Sequence, residues 1–484
     1  MAARQKRLLI VVAFLILEIG ACNRGPEVGD LTFEPHIFET HDGQRINATL
    51  GRLLVPESRQ KPGSSLIKLA FVRLTSTSQT PGPPIFYLSG GPGVSGITHP
   101  RGRRSTVLLA LREIADVILI DQRGVGMTEP RLDCGRLDYP LDQPATREDL
   151  LRAYRQHART CAEEWKQKGV NLEAYNTNEN AEDINALREA LGLEKISLLA
   201  TSYGTTLATA ILRRYRSRVH RVIMVGMEGP DHTYKLPSNG QNQIAEIVRL
   251  SKKNPQIRSL VPDLLKVFTS VSEYLKRRPA VVVIDDPATK EKLNVIVGEF
   301  DLRLMTADSI GLDSRLRKFP LALHAMTRAD FLDLGMWALE YRREKISAMQ
   351  AAMDCASGVS AERWNRIMEE EPGTTLGRDL DFPFPEVCDA WGVPQLDASF
   401  RSPLASDVPA LFISGTLDVR TPLSNAEEVR KGFSNSTLVV VEGAAHSDQL
   451  LIASPLIGKV MLEFMKGLPV STEKIEAPFE FEAA

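Results

Sequence analysis

The strongest constraint on the fold is a repeated pattern: a short apolar run that stops at a loop of glycine and small polar residues. Ile85–Leu88 stops at Ser89-Gly90-Gly91-Pro92-Gly93, and Val117–Ile120 at Asp121-Gln122-Arg123-Gly124. Residues 195–199 stop at Ala200-Thr201-Ser202-Tyr203-Gly204. Apolar runs without polar alternation are strands buried on both faces. Both faces of such a sheet must be covered by helices, so the pattern predicts an α/β fold with a mostly parallel central sheet.

The helices this sheet requires are also visible. Before the third run, Asn178 can cap a helix whose positive end carries Glu179, Glu182 and Asp183. Ile184, Leu187 and Leu191 give it one apolar face, and Gly192 can end it. After Ser202, the residues Leu207, Ile211 and Tyr215 again follow helical spacing. A further strand is expected at 222–227. Residues 32–74 read as short strands broken by turns. Residues 229–406 change character to helix-rich, irregular segments such as 243–250 and 336–349, with a short strand near 281–284, and are expected to form an inserted, mainly helical lid domain. Strand and helix alternation resumes with strands at 410–414 and 437–441 and helices near 425–431 and 455–465. The expected organisation is therefore a leader of residues 1–21, a core in two parts, 22–228 and 407–484, and the lid between them.

A serine between small residues at a strand-to-helix junction is the arrangement that exposes a nucleophile, because the tight turn pushes the hydroxyl above the sheet and the following helix offers free N–H groups. Ser202 is the candidate. A serine hydroxyl attacks only when a base takes its proton, and that base must be oriented by a carboxylate. His446, in the small-residue loop Glu442-Gly443-Ala444-Ala445-His446 after a strand, is the candidate base. Asp418, which follows a strand through Gly415-Thr416-Leu417, is the candidate acid; Asp448 lies too near His446 in sequence to serve. The backbone N–H groups of Tyr203 and Gly91 are the candidate oxyanion donors. Asp121 and Arg123 read as an ion pair fixing a loop. Glu228, at the entrance to the inserted segment, is the candidate carboxylate for a substrate ammonium group.

Charge excludes one class of partner. The 484 residues hold 59 Lys and Arg against 61 Asp and Glu, which provides no basic field for nucleic acid. The N-terminus reads as an export signal: Arg4, Lys6 and Arg7 precede the apolar residues 8–17, a run about half as long as a membrane span. Ile19-Gly20-Ala21-Cys22 then resembles the lipobox of bacterial lipoproteins, which implies lipidation of Cys22, membrane contact through that anchor only, and a periplasmic or cell-surface location. The other four cysteines, Cys134, Cys161, Cys355 and Cys388, pair evenly, with three connectivities open. The two local pairings, Cys134 with Cys161 and Cys355 with Cys388, would each be worth about 3 to 4 kcal/mol, and an oxidising compartment would keep them closed. No Cys-x-x-Cys spacing supports a zinc site.

Taken together, Ser-Gly-Gly-Pro-Gly (89–93), Asp-Gln-Arg-Gly-Val-Gly (121–126), Ser-Tyr-Gly (202–204), Gly-Thr-Leu-Asp-x-x-Thr-Pro (415–422) and Gly-Ala-Ala-His (443–446) resemble the α/β-hydrolases of the proline iminopeptidase and tripeptidyl aminopeptidase group. The resemblance spans nearly the whole chain beyond the leader. It implies an α/β-hydrolase fold with a helical lid after the sixth core strand, no metal or organic cofactor, and serine exopeptidase activity on short peptides with a free N-terminus. Carried over by position, Ser202 is the nucleophile, Asp418 the acid, His446 the base, and Gly91 and Tyr203 the oxyanion donors. Two positions depart from the family pattern: Ser89 stands where the family usually has His, and Ala200 where it usually has Gly. The same triad would also serve an esterase or amidase of small uncharged compounds, or the fold could be kept by a mere binding protein.

Overall fold

The computed structural model describes residues 25–286, 289–446 and 448–483. The expected leader, residues 1–21, and the lipobox cysteine Cys22 lie outside the described residues. The chain opens with an antiparallel meander of β1 (Leu31–Glu39), β2 (Arg45–Pro56) and β3 (Leu66–Leu74). These are long strands, not the short broken ones expected: Val55-Pro56 ends β2 instead of interrupting it. The parallel strands β4 (Ile85–Leu88) and β5 (Val117–Ile120) follow, then a short strand outside the sheet, β6 (Asp133–Arg136), then β7 (Ile196–Thr201) and β8 (Val219–Val225). The next segment contributes a hairpin of β9 (Ala280–Asp285) and β10 (Lys292–Val297), and β11 (Lys345–Ser347), which pairs with β6. The chain then returns through β12 (Ala410–Gly415), β13 (Ser436–Glu442) and β14 (Lys474–Glu476).

The main sheet has ten strands in the order β1-β2-β3-β5-β4-β7-β8-β12-β13-β14. It is antiparallel as far as β5 and parallel from β5 onward. Alternate side chains of each strand enter two separate cores, as the two-residue period of a strand requires. Phe86, Leu88, Ile118, Ile120, Leu198 and Phe412 pack into one; Ile85, Tyr87, Val117, Leu119, Leu199 and Ile413 pack into the other. The first core is roofed by helices Arg147–Gln167, Thr177–Ala190 and Tyr203–Tyr215, the second by Ser105–Leu111 and Pro455–Met465. Each fully buried Leu, Ile or Phe contributes about 1.5 to 3 kcal/mol, which explains why these four-residue strands stay in place despite few ladder bonds.

Several elements begin or end away from the expected residues. The helix expected to start at Asn178 is capped two residues earlier, because Asn176 is extended (φ −135°, ψ 164°) and its side chain accepts the Glu179 N–H. The third strand continues to Thr201, directly to the serine, and the strand expected at 222–227 spans 219–225. The helical reading of 336–349 breaks. Helix Leu332–Arg342 stops, β11 pairs with β6, and Ser347 caps a new helix, Ala348–Ser357, by accepting from Gln350 N. The segment between β8 and β12 is mainly helical, with the hairpin of β9 and β10 built into it.

Both disulfides are the local pairings, Cys134–Cys161 and Cys355–Cys388, each with 5.4 Å between Cα atoms. The first ties β6 to helix Arg147–Gln167, and the second ties helix Ala348–Ser357 to Cys388–Trp391. Among the described residues no helix is long and apolar enough to cross a membrane.

Candidate active site

Ser202 occupies the one-residue turn between β7 and helix Tyr203–Tyr215. Its backbone has φ 53° and ψ −127°, a conformation that side chains other than glycine's rarely adopt and that costs about 1 to 3 kcal/mol. The surroundings hold it there. Ser202 N donates to Val225 O (2.9 Å), while Thr205 N (2.7 Å) and Thr205 Oγ1 (2.6 Å) donate to Ser202 O. The turn also brings Gly204 against the end of β4, where a Cβ would lie 2.2 Å from Leu88 O, so no larger residue fits. Two positions before the serine, the Ala200 methyl is fully buried in the first core, and the departure from glycine there is absorbed by packing.

The structure brings together three of the expected residues from three strand ends. His446 Nε2 lies 3.1 Å from Ser202 Oγ, and His446 Nδ1 lies 2.8 Å from Asp418 Oδ2. The Asp418 side chain is fully buried and that of His446 is 13 % exposed. A buried carboxylate must be satisfied by donors, and Thr421 supplies two: its N–H to Asp418 Oδ1 (2.8 Å) and its hydroxyl to Asp418 Oδ2 (2.7 Å). The same hydroxyl is 3.1 Å from His446 Nδ1. Asp418 thus both closes the turn into helix Leu423–Val429 and faces the histidine. Sequence reasoning missed Thr421 as part of the site; its spacing of three from Asp418, the separation at which an Asp carboxylate meets a following backbone N–H, was the available signal. Asp448 turns away and receives Arg104 Nε at 2.5 Å.

The expected oxyanion donors flank the serine. Tyr203 is the first residue of its helix, so its N–H has no intrahelical acceptor. Its side chain points into the first core, 2.9 Å from Thr177 Oγ1. Gly91, with φ 109°, lines the same cavity as Ser202 and His446. Ser89 holds this loop: its hydroxyl donates to Val94 O (2.6 Å), and its own carbonyl accepts from Gln122 Nε2 (3.0 Å), while Asn180 Nδ2 donates to Gln122 Oε1 (3.1 Å).

The ion pair expected between Asp121 and Arg123 is absent. Their side chains meet separate sets of partners. Asp121 accepts from Ser95 Oγ, Ile97 N and Met127 N, and burial raises its pKa. Arg123, fully buried, makes a two-pronged contact with Asp183 (both 2.8 Å) and donates to Glu57 O and Ala174 O. Each braces a loop, through a different partner.

The serine opens on a cavity of about 370 Å³ lined by Gly91, Ser202, Glu228, Lys235, Arg420 and His446 among others. A second cavity of about 260 Å³ shares Gly91, Glu228, Lys235 and Arg420 with it and extends under helix Ala348–Ser357. Glu228 is 5 % exposed and faces both. Lys235 Nζ lies 3.6 Å from Glu228 Oε2 and donates to Thr233 O at 2.7 Å. Asp354 and Asp381 line the second cavity only. Burial, with Glu228 and Asp381 nearby, raises the Asp354 carboxyl well above the usual range, and burial pushes Asp381 up to about 6. Neither was anticipated; both come from the irregular segments between β8 and β12. Among the described residues no group of three or more His, Cys, Asp or Glu side chains is arranged to hold a metal ion.

Known proteins divide along the same lines. A family model described as alpha/beta hydrolase fold matches residues 83–265, which contain Ser202, and one described as TAP-like protein matches 382–465, which contain Asp418 and His446. The tripeptidyl aminopeptidase of Streptomyces lividans is 25 % identical over 437 residues, 84 % of this chain and 79 % of the relative. Serine protease Hip1 of Mycobacterium tuberculosis is 29 % identical over 197 residues. That match covers 38 % of this chain and 36 % of the relative, little more than a third of its length. Among solved structures, a proline iminopeptidase-related protein from Thermus thermophilus is 16 % identical with a TM-score of 0.38, over 86 % of this chain and 97 % of its own. The chain thus has the α/β-hydrolase fold, and the two family models fall on the two parts of its main sheet.

Proposed function

We propose that the chain is an exported serine aminopeptidase that cleaves short peptides from a free N-terminus through an acyl-enzyme on Ser202. The observation that carries this reading is the chain of contacts Ser202 Oγ to His446 Nε2 (3.1 Å) and His446 Nδ1 to Asp418 Oδ2 (2.8 Å) at the open end of the cleft. His446 takes the Ser202 proton as Oγ bonds to the peptide carbonyl carbon. Asp418 holds Nδ1–H and stabilises the imidazolium. The carbonyl oxygen, now negative, is met by the Gly91 and Tyr203 N–H groups. As the carbon–nitrogen bond breaks, His446 returns the proton to the leaving amine. Water, deprotonated by His446 in turn, then releases the N-terminal fragment and restores Ser202.

The preference for a free amine rests on the acidic lining of the cleft, Glu228 foremost, since an ammonium group is held most economically by a carboxylate excluded from water. Two relatives bear the names serine protease and tripeptidyl aminopeptidase, which supports a peptide over an ester. Two disulfides fit an oxidising compartment, in line with the signal read at residues 1–21 and an anchor at Cys22. The test compares free and N-acetylated peptide p-nitroanilides, with S202A as the blank. The reading predicts a strong preference for the free amine; equal turnover of the two, or p-nitrophenyl esters as the only substrates, would replace it with the esterase or amidase reading.

A further inference from the structure

On the side of the sheet that carries the second core, helices Ser105–Leu111 and Pro455–Met465 leave a groove of about 840 Å³ between them. Small-molecule sites occupy roughly 300 to 1,000 Å³. Pro455, Gly458, Leu462 and Lys466 recur at helical spacing along one wall, and Thr106, Val107 and Ala110 along the other. The groove therefore follows the whole of helix Pro455–Met465, about 16 Å. It shares no lining residue with the cavity at Ser202. The short helix Gln449–Ile452 stands between them, with Leu450 lining that cavity and Leu451 and Ile452 lining the groove.

The floor of the groove is apolar and its rim is basic. Val107, Ala110, Leu451, Ile452, Leu462 and Leu468 form the floor. Gly458 keeps it open, since a Cβ there would meet a single atom within 4 Å, Val107 Cγ2 at 3.9 Å. At the rim, among the described residues, the side chains of Arg101, Arg103 and Lys466 form no hydrogen bond and no ion pair. Arg101 lies with its guanidinium 6.0 Å from the centre of the Phe38 ring, and its Nε is shut off from solvent without an acceptor. The two acids of the rim are already engaged. Asp42 accepts the Thr40 hydroxyl, and Glu463 accepts Ser471 N at 2.7 Å and faces Lys459 Nζ at 3.7 Å. The charge left without a partner is positive.

We propose that this groove binds a free long-chain carboxylate, with the alkyl chain along the floor between the two helices and the head group at the basic rim. A buried guanidinium nitrogen without an acceptor is costly, and an arriving carboxylate removes that cost. The planar fork of an arginine also matches the two oxygens of a carboxylate, which favours Arg101 and Arg103 as the partners of the head. The chain removes the floor from water at the same time. A concave floor flanked by two helices takes one chain at a time, whereas apolar surface that enters a bilayer protrudes from the fold. A neutral or cationic amphiphile of the same length would gain the floor and lose the rim.

The experiment titrates the full chain into dansylamino-undecanoate, whose fluorescence rises in an apolar site, and displaces the bound probe with dodecanoate, dodecanol or dodecyltrimethylammonium. The expected result is one probe bound per chain, displaced by dodecanoate at a concentration at least about 10-fold below that of the alcohol or the cation, the range of a charge-assisted hydrogen bond. Arg101→Gln/Arg103→Gln should weaken probe binding by roughly 10- to 100-fold and remove the preference for dodecanoate. Gly458→Leu, which fills the floor and favours the helix, should weaken it by at least about 10-fold. Cooperative urea unfolding of both variants shows that they are folded. No bound probe, equal displacement by the three amphiphiles, or undiminished binding in either variant would overturn the proposal. If the probe stays free while phosphatidylglycerol vesicles retain wild type but not Arg101→Gln/Arg103→Gln, the face docks on a bilayer. If it stays free while Gly458→Leu abolishes a wild-type dimer, the face docks on a second copy. Either result overturns the proposal as well.

Discussion

Replacing Thr421 by valine tests how Asp418, the proposed acid, is held. Asp418 is buried and accepts three donors: Thr421 N at 2.8 Å, Thr421 Oγ1 at 2.7 Å and His446 Nδ1 at 2.8 Å. Thr421→Val keeps the backbone donor and the branched shape but deletes the hydroxyl, so one of three hydrogen bonds to a buried charge is lost without a large cavity. Such a bond is worth about 1.5 to 3 kcal/mol, and water cannot readily replace the donor because the Asp418 side chain has no exposed surface. The unfolding free energy in urea should fall by that amount. Turnover should fall less, by roughly 10-fold, because the Asp418 to His446 contact survives and only its orientation loosens. Thr421→Ser, which restores the hydroxyl, should recover most of both. The measurements are urea unfolding by fluorescence and kcat on a peptide p-nitroanilide. A Thr421→Val protein as stable as wild type would refute the claim that this hydroxyl satisfies the buried carboxylate. One as inactive as S202A would refute the claim that it acts only by positioning.

Other parts of the structure make equally specific demands. Gly204→Ala places a methyl 2.2 Å from Leu88 O, and because that carbonyl belongs to a packed strand the variant should lose at least about 2 kcal/mol, read as a lower unfolding midpoint together with lost activity. Opening the second disulfide with a Cys355→Ser/Cys388→Ser pair should lower stability by about 3 to 4 kcal/mol in the chain-entropy model, read in urea without reductant so that Cys134–Cys161 stays closed; an unchanged midpoint would contradict it. Asp381, whose pKa is pushed up to about 6 in the fold from 3.8, destabilises the native state when ionised. Its penalty is absent below pH 3.8, grows between pH 3.8 and 6, and is complete above about pH 6 at roughly 3 kcal/mol. Asp381→Asn should therefore gain stability over wild type as pH rises from 4 to 7, and a difference that stays flat across that range would show that the carboxyl is not raised.

The layers of the fold and the three strand-end residues could be read in the sequence because their signals are local. A run such as Val117–Ile120 admits only a strand buried on both faces, and Ser202, Asp418 and His446 each follow such a strand within a few residues. What escaped depends on distant partners. Asp121 and Arg123 sit two apart, yet their partners are Ser95, Met127 and Asp183, none of which the local spacing indicates. The helix cap was misplaced because Asn176 and Asn178 both suit the role, and only the extended backbone at Asn176 decides between them. Residues 336–349 carry helix-compatible side chains, but pairing of β11 with β6, more than 200 positions earlier, outweighs that local preference. Asp354 and Asp381 were invisible for the same reason. Nothing near them in sequence says that they line a cavity adjoining the one at Ser202.

Catalysis at this site requires that the Ser202 hydroxyl be activated by His446. The direct measurement is the rate of covalent labelling by a fluorophosphonate probe, with the modified peptide identified by mass spectrometry, in wild type, S202A and H446A. Activation predicts rapid, stoichiometric modification of wild type at Ser202 alone, none in S202A, and a rate in H446A lowered by at least about a thousandfold. Equal labelling of wild type and H446A, or modification at a serine other than 202, would contradict it.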